Sequence, residues 1–222
     1  MERRLVTTLL AMTLATLGVA LLLPGGRAVD PDPKLPWRIT VGADGSSRVF
    51  GLTLGHSTLG EAQQLLGDRG ELTLFVAQDG QRTLEAYFDQ VALSGLRGHM
   101  VLTLELPQER LQAFHDRGIR VSRLGSGETK VTPSEGDRAD ATHAPLRAIT
   151  YLPLADIPEE VLLKRFGPPD ERIPVGDDRV HWLYPDRGLD ILVDPQRKAV
   201  FQYVPPRDFA RLARGPLGTV EK

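Results

Sequence analysis

Hydrophobic positions follow the same order of spacings in two stretches of the chain. Between residues 51 and 118, a helical run is followed by alternating runs and then by a second helical run that opens at Pro107. Between residues 148 and 215 the order is the same, and Pro205 opens the last helical run. A period of 3.6 indicates amphipathic helices and a period of 2 indicates half-buried strands. The pattern therefore indicates a tandem duplication.

The first helix has the clearest boundaries. The hydroxyl of Thr58 can accept a hydrogen bond from the amide of Glu61, and the Glu61 carboxylate can accept one from the amide of Thr58, which makes a capping box. Gly67 stands where a left-handed terminator belongs. Apolar residues between them keep helical spacing, so a helix is predicted over residues 59–66.

Alternation of apolar and polar residues, together with turn signals, predicts the strands. Asp79-Gly80 separates two alternating runs and is a strong hairpin signal. The predicted fold class is α+β, with two tandem helix–antiparallel meander–helix modules after an N-terminal hydrophobic segment. Each sheet would have one face covered by its helices.

These patterns divide the chain into six segments. The segment between the modules is small, polar and charged, which is typical of a linker. The predicted segments are a signal anchor or signal peptide at 1–28, a spacer at 29–50, a first α+β module at 51–122, a linker or long loop at 123–147, a second α+β module at 148–215 and a tail at 216–222.

The N-terminal segment contains an uncharged run, Leu5–Leu23, between Arg3-Arg4 and Pro24-Gly25-Gly26. Its length is closer to that of a membrane span than to that of a signal core. With the arginines kept inside, we expect a single-pass anchor that leaves the chain on the periplasmic side of the inner membrane, with its N-terminus in the cytoplasm. The alternative is a cleaved leader and a soluble periplasmic or secreted protein.

Composition excludes some classes of function. Lysine and arginine number 27 and aspartate and glutamate 29, a formal net charge of −2. Since no basic surplus is available to neutralise phosphates, a nucleic-acid partner is not expected. Cysteine is absent, which excludes disulfides, thiolate metal ligands and cysteine nucleophiles.

A search for catalytic motifs predicts no active site. Gly55-His56-Ser57-Thr58 approaches the nucleophile elbow G-x-S-x-G, but Leu59 stands where the second glycine is required. The histidines do not have the spacing of a zinc site. Asp177-Asp178 with His181 is the best cluster of possible ligands, and a solvated turn explains it as well. We therefore predict no enzyme, no metal site and no cofactor.

Aromatic residues are the candidate binding positions. Tyrosine and tryptophan dominate the energetics of protein interfaces, although core packing is the alternative explanation for each of them. The candidate partner-binding residues are Phe75, Tyr87, Trp182, Tyr184, Phe201 and Tyr203.

The opening of each predicted module resembles the SmpA/OmlA-type domain of outer-membrane assembly lipoproteins. The similarity lies in residues 58–67, with the pattern T-x-x-E-x-x-x-L-L-G, and in residues 157–169, with the ending Gly167-Pro168-Pro169. The strand residues 182–184 and 189–194 are similar to those that follow in that family. The resemblance implies a helix-pair-plus-meander fold and non-enzymatic protein binding in the envelope. The chain lacks the lipid-bearing cysteine of those lipoproteins.

The sequence therefore predicts an exported bacterial envelope protein that binds a protein or peptide. Two alternatives stay open. Tandem modules of this shape are also similar to secreted β-lactamase-inhibitor proteins, so the chain could be a secreted or periplasmic enzyme inhibitor that uses residues 123–147 as a plug. The other alternative is a hydrolase with an unrecognised site, which requires a deep pocket with acids or histidines of shifted pKa.

Overall fold

The structure is a computed structural model that describes residues 32–176, 178–194 and 199–212, without the side chains of residues 211 and 212. The predicted N-terminal segment 1–28 and the predicted tail 216–222 lie outside the described residues.

Most of the regular secondary structure in the described residues is strand. In chain order the strands are β1 (Thr40–Val41), β2 (Ser47–Val49), β3 (Leu52–Thr53), β4 (Glu71–Val76), β5 (Arg82–Leu93), β6 (Leu96–Leu104), β7 (Arg120–Arg123), β8 (Thr129–Thr132), β9 (Leu146–Pro153), β10 (Glu171–Val175), β11 (Arg179–Tyr184), β12 (Leu189–Val193) and β13 (Val200–Tyr203). The helices are α1 (Leu59–Leu66), α2 (Gln108–Asp116), α3 (Glu135–Ala141), α4 (Glu159–Phe166) and α5 (Phe209–Leu212).

Ten of these strands make one antiparallel sheet in the order β10-β11-β12-β13-β9-β6-β5-β4-β8-β7. β1, β2 and β3 make a separate three-stranded sheet. Strand neighbours follow chain order from β4 to β6 and from β10 to β13, and β9 pairs with both β6 and β13. The sheet is therefore continuous across both halves of the chain.

The predicted first helix is confirmed. α1 begins after Thr58, whose hydroxyl accepts from the amide of Glu61 while the Glu61 carboxylate accepts from the amide of Thr58. Gly67 ends the helix with a φ of 66°, a left-handed conformation that favours glycine. The local chemistry of these few residues was sufficient to determine both ends.

One face of the large sheet carries the core. Residues that lie opposite each other in an antiparallel sheet share a face, and Leu102 lies opposite Ala86 and Ile149 while Tyr151 lies opposite Met100 and Phe201. These side chains, the inner residues of α1, α2 and α4 and the residues around β2 and β3 belong to one buried cluster.

The predicted fold class is wrong. The protein is mostly β, with a ten-stranded and a three-stranded antiparallel sheet, and it is not built of two helix–meander–helix modules. The prediction rested on spacings within each half. It could not detect β9, whose pairing with β6 and β13 merges the two halves through contacts between residues far apart in sequence.

The segment predicted as a linker, residues 123–147, carries regular structure. It contains the end of β7, all of β8 and α3 and the start of β9. Val131, Asp137 and Ala141 are buried. Short strands and a seven-residue helix have too few apolar positions to stand out from a polar background, and their packing partners lie elsewhere in the chain.

The predicted location also needs correction. Among the residues that the structure describes, no helix is both long and apolar enough to cross a membrane. The run Leu5–Leu23, which carried the prediction of a single-pass inner-membrane anchor, lies outside those residues. We assign no membrane location to the protein.

The other face of the sheet holds a buried histidine–aspartate pair in the β10–β13 half. Nδ1 of His181 lies 2.8 Å from a carboxylate oxygen of Asp190, and both side chains are almost inaccessible to solvent. Ile173 and Leu192 lie opposite His181 on neighbouring strands, so the surroundings of the pair are largely apolar. Beside it, Leu183, Val204 and Phe209 form a small second apolar cluster.

The buried pair predicts a specific pattern of stabilities. Asp190→Ala should lower the free energy of unfolding by about 3–5 kcal/mol, because it leaves a polar imidazole buried without its partner. The double variant His181→Leu/Asp190→Leu should recover most of that loss, since leucine suits the apolar neighbours. Urea denaturation followed by circular dichroism measures both values. Equal losses in the single and double variants would contradict this account.

Candidate functional site

The strand β7 forms one end of the large sheet and pairs only with β8 among the described strands. All four of its residues are exposed. Two apolar side chains at this edge are especially open, since Ile119 is 66% and Val121 59% exposed. Protein edges of this kind are templates for another strand unless they are protected. We call residues 119–124 the β7 edge.

The hydrogen-bonding pattern shows which backbone groups of the β7 edge point outward. Leu124 donates its N–H to the carbonyl of Glu128 at 2.8 Å, so residue 124 faces β8. In an antiparallel ladder this direction alternates from residue to residue. Residues 122 and 120 therefore also face β8, and the N–H and C=O groups of Val121 and Arg123 point away from the sheet.

Packing behind the edge holds the β7–β8 hairpin in place. Val131 of β8 lies opposite both Leu74 of β4 and Val121, and it is fully buried. A Cβ at Gly118 would overlap the Val131 side chain, so the chain enters β7 through a position that requires glycine. At the hairpin tip, Nε2 of Gln78 donates to the carbonyl of Ser126 at 2.9 Å.

An ion pair joins the start of the β7 edge to helix α3. The Asp137 carboxylate is 2% exposed and accepts hydrogen bonds from the guanidinium of Arg117 and from the hydroxyl of Ser134. Burial by itself would raise the pKa of Asp137, but these hydrogen bonds and the positive charge of Arg117 outweigh it and lower the pKa below its usual value. The carboxylate thus stays ionised and holds Arg117, which lies two positions before Ile119.

The opposite end of the sheet is protected. The strand β10 is the other outermost strand, and its fourth residue is Pro174, which has no N–H to offer a further strand. Proline on an edge strand is a common device against unwanted pairing. Of the two ends of the large sheet, only the one at β7 presents an exposed strand without proline.

The structure separates the six candidate aromatic residues into two groups. Trp182, Tyr184, Phe201 and Tyr203 are all buried in the core. Tyr184 and Phe201 contact Phe166 of α4, and Tyr203 contacts Phe50. The other two, Phe75 and Tyr87, lie on the opposite face of the sheet and reach solvent. The six residues therefore do not form one surface.

Tyr87 belongs to an exposed polar cluster at a bulge of β5. Its ring stacks on that of His99 at a centroid distance of 6.0 Å, its hydroxyl lies 3.0 Å from Nδ1 of the same imidazole, and that nitrogen lies 2.7 Å from Asp89. Partial burial raises the pKa of Tyr87, and the charge of Asp89 raises it further. The tyrosine is therefore a neutral hydroxyl at physiological pH, suited to hydrogen bonding.

A hollow of about 220 Å³ on the same face contains two carboxyl groups. Burial raises the pKa of Glu85, and the neighbouring Glu128 carboxylate raises it further. Two larger hollows, of about 560 and 440 Å³, adjoin α1 and share Gln63, Arg69 and Thr142. The lining of the smaller of these two is mainly polar, and that of the larger is more apolar than polar.

Residues that could hold a metal ion are not gathered in the described part of the chain. No group of three histidine, aspartate or glutamate side chains lies close enough there to bind one. Of the cluster considered from the sequence, His181 pairs with Asp190, and Asp177 lies outside the described residues.

Comparison of the chain with protein-family models, with curated proteins and with solved structures found no match. The resemblance of residues 58–67 and 157–169 to the SmpA/OmlA-type domain thus stays a prediction.

The sequence analysis missed the β7 edge, although a signal for it exists. Ile119 and Val121 alternate with polar residues, Gly125-Ser126-Gly127 follows, and Thr129 and Val131 alternate again. Two alternating runs around a glycine-rich turn are typical of a hairpin. The charges and small residues of the segment concealed this signal.

The Arg117–Asp137 contact predicts a pH-dependent stability. Because the pKa of Asp137 is lowered in the folded protein, its contribution is complete above the ordinary pKa of an aspartate and is lost as the pH falls through the lowered value. Asp137→Asn should lower the free energy of unfolding by about 2 kcal/mol at pH 7, and the deficit should shrink toward pH 2. Denaturant unfolding from pH 7 to pH 2 measures it.

Asp140→Asn is the matched control for this prediction. Asp140 lies on the same helix and forms an exposed ion pair with Arg110. Such pairs contribute little, so its loss should cost less than about 0.5 kcal/mol. Equal effects of the two variants would show that Asp137 does not anchor the edge.

Glu85 predicts a pH dependence of stability with the opposite sign. Its raised pKa means that ionisation in the folded state costs stability, and this cost grows as the pH rises above the ordinary glutamate pKa of 4.5. Glu85→Gln should therefore be more stable than the wild type at pH 8, and the gain should vanish near pH 4. Thermal unfolding at both pH values tests this, with Glu105→Gln at an exposed position as the control. A gain that persists at pH 4 would exclude the ionisation as its cause.

Proposed function

We propose that this chain is a polypeptide-binding protein that holds an extended segment of its partner by adding it as a strand to the β7 edge. The observation that carries the proposal is the exposed outer side of β7, with the backbone groups of Val121 and Arg123 directed away from the sheet. A non-enzymatic, peptide-binding role also agrees with what the SmpA/OmlA-type resemblance implies.

Strand addition suits the chemistry of this edge. In that mode the main-chain hydrogen bonds provide affinity, and alternate side chains provide selectivity. Val121 and Arg123 offer two donors and two acceptors, which contribute about 1 kcal/mol each. Burial of the exposed Val121 and Ile119 side chains adds about 1.5–3 kcal/mol each when complete. After the cost of association, these contributions are appropriate for reversible binding.

The edge is preorganised for this task. Val131 is fully buried beneath it, Arg117 is tied to Asp137, and Gln78 holds the hairpin tip. A template that is already ordered loses little conformational entropy when it binds. Most of the conformational entropy lost on binding is therefore lost by the docking partner.

A second candidate function is supported by the same hairpin. Residues 123–147 are packed into the structure, which a plug for the active site of an enzyme also requires, and the hairpin presents exposed Leu124 at its tip. An inhibitor of this type would depend on the tip and not on the outer edge. Leu124→Ala would then weaken binding of the target enzyme more than Val121→Pro would.

Panning random linear dodecapeptides on the immobilised full chain tests the leading proposal. Recovered peptides should bind with at least about tenfold lower affinity to Val121→Pro, because proline removes the outward N–H and obstructs a docked strand while leaving the bonds to β8 intact. Hydrogen exchange at the amides of residues 121 and 123 should slow when such a peptide binds.

Circular dichroism and thermal unfolding of Val121→Pro serve as the folding control. Pro174→Ala, at the opposite edge, is the matched variant that should leave affinity unchanged. Peptides that bind Val121→Pro and the wild type equally well would overturn the proposal.

A further inference from the structure

We infer that the segment bound at the β7 edge is acidic, with two carboxylates placed to meet Arg120 and Arg123. This inference rests on the proposed function and names the chemistry of the partner. The side chains of both arginines are exposed, and neither makes an ion pair with another residue that the structure describes.

The other charges around the edge have partners. Arg117 is paired with Asp137, and Lys130 of β8 lies 3.0 Å from Glu71. The acid of the hairpin, Glu128, lies on the same face as Arg120, but it lines the hollow with Glu85 on the β4 and β5 side of β8. The two arginines of β7 are therefore the charges available to a docked strand.

The two arginines lie on opposite faces of the sheet. Arg120 lies opposite Thr132 and Ser122 opposite Lys130, so Arg120 shares its face with Lys130, whereas Arg123 shares the other face with Val121. A carboxylate on each face of an added strand could form a bidentate pair with one guanidinium. In an antiparallel partner the pattern is acid, polar, apolar, acid, with the apolar residue opposite Val121.

Repulsion disfavours a second copy of this chain as the occupant. Two β7 edges that pair antiparallel about a two-fold axis must place outward-facing residues opposite outward-facing residues. In the two registers of greatest overlap, Arg120 or Arg123 of one copy lies diagonal to the same residue of the other. Like charges at such positions destabilise strand pairing, so the charges favour a different, acidic partner.

The test uses the full chain and three fluorescent peptides. The acidic probe is acetyl-Thr-Glu-Thr-Val-Glu-Val-Thr-amide, the basic probe has lysine in place of both glutamates, and the neutral probe has glutamine there. Fluorescence anisotropy at 50 and 500 mM NaCl gives the Kd of each. We expect the acidic probe to bind about tenfold more tightly than the basic one at low salt, with a smaller difference at high salt.

Two double variants separate the local charge from the net charge. Arg120→Glu/Arg123→Glu should invert the preference for the acidic over the basic probe. Arg97→Glu/Arg147→Glu changes the net charge equally at exposed positions on β6 and β9 and should retain the preference. Loss of the preference in both double variants would overturn the inference, since the net charge of the protein would then explain the preference for the acidic probe.

The same experiment distinguishes failure of the inference from failure of the proposed function. Equal binding of all three probes, abolished by Val121→Pro, would overturn the acidic partner and leave strand addition standing. Absence of binding by every probe, or binding that Val121→Pro does not weaken, would overturn both. A wild-type dimer in sedimentation that Val121→Pro dissociates would identify a second copy as the occupant and also overturn the inference.

Discussion

The pairing of β9 with both β6 and β13 is the interaction on which the rest of the structure depends. β9 pairs with β6 through seven residue pairs, from Gly98 opposite Pro153 to Leu104 opposite Leu146, and the other side of β9 pairs with β13. Tyr151, at its centre, packs against Phe50 and Phe201. A Cβ at Gly98 would overlap the Tyr151 ring, so glycine on β6 permits this approach.

The pairing of β9 with β6 and β13 determines how many edges of the large sheet are exposed. Two separate meanders would present the outer sides of β6 and β13 in addition to their other ends, but β9 covers both of them. The large sheet then ends at β10, where Pro174 lacks a donor, and at β7, where Val121 and Arg123 have outward backbone groups. An open edge of the large sheet with charged residues at both ends of the strand is a selective template, because the arginines oppose self-pairing and attract carboxylates.

Much of the local structure could be predicted because it depends on neighbours in sequence. The capping box at Thr58 and the left-handed Gly67 determine α1 without help from the rest of the chain. The candidate aromatic residues show where this reasoning ends. Trp182 and Tyr87 both occur in alternating strands, yet one is buried in the core and the other is exposed on the opposite face. Alternation assigns residues to two faces but does not say which face a helix will cover.

The sequence alone determined where α1 starts and stops, where the Asp79-Gly80 hairpin turns and which residues alternate, because caps, turns and periodicity act over a few residues. Only the tertiary structure decided that both halves share one sheet, that residues 123–147 pack into it and that β7 is left as the open edge. These outcomes depend on pairing between residues far apart in the chain, such as Val131 with Leu74 and Tyr151 with Phe201. No local pattern records the free energy of such contacts, since it arises only when the distant partner is present.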